Sequence, residues 1–192
     1  MSLWAAVSGL VLAGWLINGS AQTATSAGTS VTKLRAAPEF RDFGVTRTFN
    51  GTNAAVRLAS PAERKFRTML TQGASNKPNF AGDYILVMWG CGSGCADGAV
   101  IDPGSGKVHW LPSMVVGCNS TCIGYEDKKF VDFRPNSKLL VLNGMRETVN
   151  GRGIAKVAGA DVWGSFYYLF ENGHFRLLHS VAAEIERFDD TE

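Results

Sequence analysis

The chain has 192 residues, 45% of them hydrophobic and 19% charged, with 19 Lys and Arg set against 17 Asp and Glu for a formal net charge of +2. Charges this balanced and this scattered exclude the basic footprint of a nucleic-acid binder, of a membrane-surface protein and of a polyanion receptor. The length suits one ordinary domain that can bury a core without metal or a dense disulfide framework.

The N-terminal segment reads as an export signal. Residues 3–17 form an apolar run, too short to cross ~30 Å of hydrocarbon, which takes about 20 residues, but suited to the core of a signal peptide. Asn18-Gly19-Ser20-Ala21 then supplies the small residues that a signal peptidase reads, so a signal peptide over 1–21 with cleavage after Ala21 is expected. No Lys or Arg precedes the run, and an uncleaved N-terminal anchor is the alternative. No cysteine lies near Ala21 to carry a lipid. The expected product is a periplasmic or secreted protein with no stable membrane anchor. Residues 22–38, rich in Thr, Ser, Ala and Gly, read as a flexible tether, and 39–192 as a single β-rich domain.

Phe40 to Phe49 and Ala54 to Leu58 are candidate edge strands. Ser60, Pro61 and Glu63 then spell an N-cap, a first helical residue that needs no N–H, and the third member of a capping box. Phe66, Met69 and Leu70 follow on one face and Gly73 closes the helix. After Pro78 almost everything reads as strand and turn. Asp83 to Trp89 is a β-prone run, and Ala99-Val100-Ile101, the turn Asp102 to Gly106, and Lys107 to Leu111 make a first hairpin. Phe130 to Phe133, Arg134-Pro135-Asn136-Ser137 and Lys138 to Leu142, ending at Asn143-Gly144, make a second. Ser165 to Phe170, Glu171-Asn172-Gly173 and His174 to Leu178 make the third, with Asn-Gly providing the positive φ angles of a tight turn. The predicted fold is α+β and mostly β, a twisted antiparallel sheet of successive hairpins, either sandwich or open barrel, with one packed helix. The strand-turn-strand around Arg134 looks like a propeller blade, but a propeller needs more chain.

Cysteine usage carries the strongest chemical signal. Cys91, Cys95, Cys118 and Cys122 are the four cysteines, in two Cys-x-x-x-Cys pairs. Behind an export signal such pairs point to disulfides, whereas in a reducing compartment they would suit zinc. Three pairings are possible; the flexible Gly92-Ser93-Gly94 spacer favours local bonds, Cys91 to Cys95 and Cys118 to Cys122. A redox role fits poorly, because the spacing is not Cys-x-x-Cys and no helix N-terminus follows to lower a thiol pKa.

Other chemistries assemble less well. Cys91-Gly92-Ser93 opens like a papain-type nucleophile motif, but Gly94-Cys95 departs from it, and His109, His174 and His179 all lie in strand-like stretches. Gly104-Ser105-Gly106-Lys107 ends like a phosphate loop, yet Ile101 stands where the first Gly belongs. Asp97, Asp102, Asp127, Asp132 and Glu147 have no spacing that compels an acid-base pair. The Asn-x-Ser/Thr strings at Asn18, Asn50 and Asn119 are short enough to arise by chance. No catalytic set, metal site or cofactor is expected. Aromatic residues are the remaining signal: if some of Trp89, Trp110 and Trp163, with Tyr84, Tyr167 and Tyr168, point outward beside the cysteine loops, they form a contact patch. Trp89, Ser93, Asp97, Trp110 and Asn119 are the candidate binding residues.

Asn79-Phe80-Ala81-Gly82-Asp83-Tyr84, Trp89 to Cys95, Ile101 to Val108 and Phe133 to Val141 together resemble a group of small exported proteobacterial proteins of uncharacterised function. The general plan also resembles periplasmic lysozyme inhibitors and secretion-system immunity proteins, single β-rich domains that block a cell-wall hydrolase with an inserted loop. That likeness implies a protein partner and no turnover, and it assigns no inhibitory residue here. The expected function is a periplasmic binding domain of the inhibitor or immunity kind. A periplasmic hydrolase, marked by a convergence such as Asp97 with His109, and a structural envelope-associated domain are the alternatives.

Overall fold

The computed structural model describes residues 36–92, 94–117, 127–150, 153–155 and 163–183, the side chains of 147–150 and 153–155 excepted. The expected signal peptide, most of the tether, Ser93 and the whole Cys118 to Cys122 segment lie outside the described residues. Among the described residues no helix is long and apolar enough to cross a membrane.

The chain enters through a 3-10 helix, Phe40–Phe43, closed by a capping box in which Glu39 and Asp42 exchange side-chain to backbone bonds. This corrects the strand expected over 40–49: only Gly44 makes an isolated bridge, to Ser137. The segment from Ala54 to Leu58 is not a regular strand either. Ala54 N–H donates to Pro103 O at 2.7 Å and Arg57 N–H to Gly106 O at 2.7 Å. Its partner is therefore a turn instead of a sheet edge.

The Ser60 capping box forms as the sequence requires, with Ser60 Oγ accepting from Glu63 N–H and Glu63 reaching back to the Ser60 N–H. The single expected helix is divided into α1, Pro61–Lys65, and α2, Arg67–Ala74, because Phe66 leaves helical geometry at φ −97° and ψ 18°. Gly73 does not close it. It lies inside α2, where a Cβ would overlap the Val87 side chain, so its lack of a side chain lets the helix press onto the sheet.

Nine antiparallel strands follow among the described residues: β1 Ile85–Gly92, β2 Cys95–Ile101, β3 Val108–Trp110, β4 Met114–Val116, β5 Val131–Phe133, β6 Leu139–Asn150, β7 Gly153–Ala155, β8 Trp163–Glu171 and β9 His174–Ala182. The three expected hairpins are present as β2–β3, β5–β6 and β8–β9. The last turns through Asn172 and Gly173 at φ 52° and 79°, as its Asn-Gly predicts. The strands run in the path β1-β2-β4-β6-β8-β9 with β3 on β2, β5 on β6 and β7 on β6. The path is open, so the sheet is not closed into a barrel.

Short β4 is the corner of this sheet, pairing β2 at Cys95 and Ala96 and β6 from Met145 to Glu147. Asn143-Gly144 therefore does not end its strand; β6 continues through it. Gly144, at φ 141°, sits where a Cβ would strike Val116 O, which is the backbone approach that a glycine in a strand permits.

Beyond the corner the two halves face each other across one core. Leu86 and Val100 from the first half pack with Leu140, Leu142, Phe166 and Phe170 from the second. The opposite face of β1 and β2 buries Ile85, Trp89, Ala99 and Ile101 under Leu70 and Ala74 of α2. Both faces of the first half are thus covered, which explains the near-continuous apolar run in β1.

The sequence motifs beyond the strands turn out to be clasps between the halves. Ala81 N–H donates to Ser137 O at 3.2 Å and Gly82 N–H to Pro135 O at 2.7 Å, while the Phe80 ring meets Phe133 and Phe170 at 6.2 and 5.5 Å. Asn79 guards the free edge of β1: its amide donates to Leu86 O at 3.0 Å and accepts from Leu86 N–H at 2.7 Å. The side chain imitates a neighbouring strand and occupies groups that would otherwise template pairing.

Candidate functional site

The β1–β2 hairpin carries the cysteine motif at its tip. Cys91 and Cys95 are joined by a disulfide with Cα atoms 5.2 Å apart, across a bulge where the register shifts between Gly90 and Gly92. Gly92 and Gly94 adopt φ 141° and 66°, conformations that side chains disfavour. With their thiols spent in this bond, Cys91 and Cys95 hold no zinc, and a disulfide is compatible with an oxidising compartment. Gly90, Cys91, Gly92 and Gly94 are exposed. The tip therefore projects from a strand pair whose base is buried on both faces, and the disulfide ties its two strands together.

Trp89, Asp97 and Trp110 form that root. Trp89 lies opposite Asp97, and Trp110 opposite Ala99. Trp89 is only 8% exposed and Asp97 only 2%, so the outward aromatic patch that the sequence suggests does not form from Trp89. Its ring stacks on Phe66 at 5.2 Å, and Trp110 meets both edge-on at 5.7 and 5.9 Å. Sequence alternation could not foresee the third ring, which arrives from the break between the helices. Asp97 Oδ1 accepts from Gly98 N–H at 2.8 Å, fixing the strand just behind the tip. Among the described residues the buried Trp89 Nε1–H has no hydrogen-bond partner.

Asp97 and His109 do not converge. Asp97 shares the face of Trp89 and Ala99, beneath α2, whereas His109 lies opposite Val100 and faces the other core. There His109 meets Tyr84 at 6.4 Å and Phe170 at 5.9 Å. Burial lowers its pKa, reinforced by Lys107, with a bond to the Gly173 backbone and Asp102 acting in opposition. Burial raises the Tyr84 pKa, with Asp102 and Asp83 adding to the effect. Asp102 itself organises the β2–β3 turn, accepting from Gly104 N–H at 2.8 Å and Ser105 Oγ–H at 2.6 Å. The Gly104 to Lys107 string is thus a hairpin turn and not a phosphate loop. Among the described residues no three of His, Cys, Asp and Glu gather as a metal site would require.

A second site was not anticipated as such. A cleft of about 610 Å³ opens on the outer face of β6 and β8, between the 3-10 helix and the loop leading into β5. Val141, Asn143, Ser165 and Tyr167 line its floor, and Lys128, Asp132 and Arg134 its sides. Asn143 and Ser165 are directly paired across the strands and are 8% and 2% exposed. Ser165 Oγ–H donates to Asn143 Oδ1 at 2.7 Å, Asn143 Nδ2–H to Lys129 O at 2.8 Å, and Lys128 Nζ to Ser165 Oγ at 3.3 Å. The legible signal was two polar residues set in otherwise apolar strands.

The fold and the tip together define a class: a mostly β domain built on an open antiparallel sheet, with a disulfide closing its β1–β2 hairpin. The chain matches no family model, no curated protein and no solved structure.

Proposed function

We propose that this chain is a periplasmic protein-binding domain of the inhibitor or immunity kind, which blocks a cell-envelope hydrolase or toxin by presenting the disulfide-closed tip of the β1–β2 hairpin. The observation that carries the reading is the contrast between an exposed Cys91–Cys95 ring and the buried Trp89 and Asp97 immediately behind it. A tip held in one shape before contact loses little conformational entropy on binding, which is how rigid loops gain affinity. Exposed backbone at Gly90, Gly92 and Gly94 lets a partner approach closely. Ser93 and Asn119, which lie outside the described residues, remain candidate contact residues in this reading.

The test uses the chain from Gln22 onward as bait in a cell-envelope extract under non-reducing conditions, with mass spectrometry of the retained protein and an assay of its hydrolytic activity. A Gly90→Arg variant serves as control, since a Cβ at Gly90 meets only Cys95 O at 3.9 Å and the fold should tolerate it. Stoichiometric capture of a hydrolase or toxin, with its activity suppressed by the native chain and not by the variant, supports the reading. No retained partner, or equal capture by both proteins, rejects it.

A further inference from the structure

We infer that the cavity between the Ala81 to Tyr84 turn, the start of β6 and the β8–β9 turn is a binding site for a small zwitterion of the apolar α-amino-acid class. Its residues are separate from those of the hairpin tip, and the inference does not depend on the function proposed for that tip. The volume, about 280 Å³, lies just below the ~300–1,000 Å³ that hold drug-sized ligands, so the occupant is small. Backbone bonds tie the walls to one another: Val45 N–H donates to Asn136 O at 2.8 Å, Gly82 N–H to Pro135 O at 2.7 Å, Lys138 N–H to Phe43 O at 3.0 Å and Phe170 N–H to Lys138 O at 3.0 Å. A frame held in this way needs little ordering when a ligand arrives.

The charged groups specify the ligand. Arg47 stands 3.6 Å from Asp83 Oδ2, beyond ordinary hydrogen-bond reach, on a side chain that is 86% exposed. Asp83 Oδ1 is buried with no donor among the described residues, so Oδ2 is the oxygen at which this carboxylate can be satisfied. An ammonium does so with charge and hydrogen bond together. Lys138 Nζ gives one bond, to Glu171 at 3.3 Å, and an ammonium has three donors, which leaves capacity for a carboxylate. Arg47 and Lys138 against Asp83 and Glu171 bring the lining charges to zero. A simple amine or a simple acid would add an uncompensated charge here, whereas a molecule carrying both ends adds none. Tyr84 and Phe170, edge-to-face at 4.9 Å, form with Val45 an apolar corner for its side chain.

The turn that carries Asp83 is not explained by stability. The motif clasps the two halves through the backbone of Ala81 and Gly82, which asks nothing of the Asp83 side chain. An exposed ion pair such as Arg47 with Asp83 contributes little, and a buried carboxylate oxygen without a donor is unfavourable. Ala81 is in the left-handed region at φ 49°, a conformation that a side chain disfavours and that gathers at binding sites. Both costs fall on the wall of one cavity, where a ligand ammonium at Asp83 offsets the first.

Amide chemical shifts of the chain from Gln22 onward, titrated with L-leucine, isoamylamine and isocaproate, test the assignment; the last two are leucine without its carboxylate and without its ammonium. Leucine should move the resonances of Ala81, Asp83, Tyr84, Lys138 and Glu171, with each analogue binding at least about tenfold more weakly, a difference of ~1.4 kcal/mol. Asp83→Asn keeps the shape and removes the charge. It should weaken leucine by a similar factor and leave isocaproate unchanged, a loss of preference that a merely structural role would not produce. Should that variant fail to fold, Lys138→Met takes its place, weakening leucine by the same factor and leaving isoamylamine unchanged. No shift with leucine, equal response to either analogue, or undiminished leucine binding by the folded variant would overturn the inference.

Discussion

His109 shows how one side chain ties a turn to a core. Its ring lies where a Cβ on Gly173 would have to go, so the β8–β9 turn needs glycine there both for its φ of 79° and for the imidazole beneath it. Burial holds the folded pKa of His109 below its unfolded value of 6.5. The folded state therefore binds fewer protons than the unfolded one, and the contribution of this group is fully present above pH 6.5 and lost as pH falls towards the folded value. Urea unfolding should give a stability that declines between pH 7.5 and 5, and His109→Gln should flatten that part of the curve. Gly73 supplies a second test. Alanine for a glycine inside a helix ordinarily stabilises by up to ~1 kcal/mol. Here the added Cβ meets Val87, and Gly73→Ala should instead destabilise by about 1–3 kcal/mol in the same experiment.

At the scale of elements, the β1–β2 hairpin and the free edge of β1 make opposite demands. The Cys91–Cys95 bond closes a ring of sequence separation 4, for which loop entropy gives only about 2 kcal/mol. Replacing both cysteines by serine should lower the melting temperature modestly, leave the far-ultraviolet spectrum intact, and weaken capture of a partner through a looser tip. The edge depends on Asn79, whose amide satisfies both backbone groups of Leu86. Asn79→Ala leaves these groups without their partner, at a cost of about 1–3 kcal/mol, and exposes a pairing edge. The expected outcome is loss of stability together with concentration-dependent association, read by light scattering. The capping box at Ser60 and the Asn-Gly turn were legible in sequence because their geometry is set within four residues. The division of the helix at Phe66 was not, because the ring leaves the helical path to stack between Trp89 and Trp110, partners that lie far along the chain.

For the molecule as a whole, β1 and β2 stand between two cores, and neither can leave without opening both. In a Trp163→Phe variant of the chain from Gln22 onward, indole fluorescence reports Trp89 and Trp110 alone, and it should unfold along the same denaturant curve as the far-ultraviolet dichroism of the whole sheet, as one cooperative transition. Separate midpoints would mean that the halves on either side of β4 are independent.

The three expected antiparallel hairpins and the helix start were determined by sequence alone, since period-two patterning, turn residues and caps act over a few neighbouring residues, whereas the pairing of Cys91 with Cys95 was one of three that the sequence left open. Tertiary structure decided which faces met. Helix α2 covers the face of β1 and β2 that carries Trp89 and Asp97, and the β2–β3 register places His109 opposite Val100 on the other face. The β6–β8 register set Asn143 beside Ser165, where Lys128 reaches the Ser165 hydroxyl. Those contacts join residues far apart in the chain, and only the burial of both cores at once brings them together.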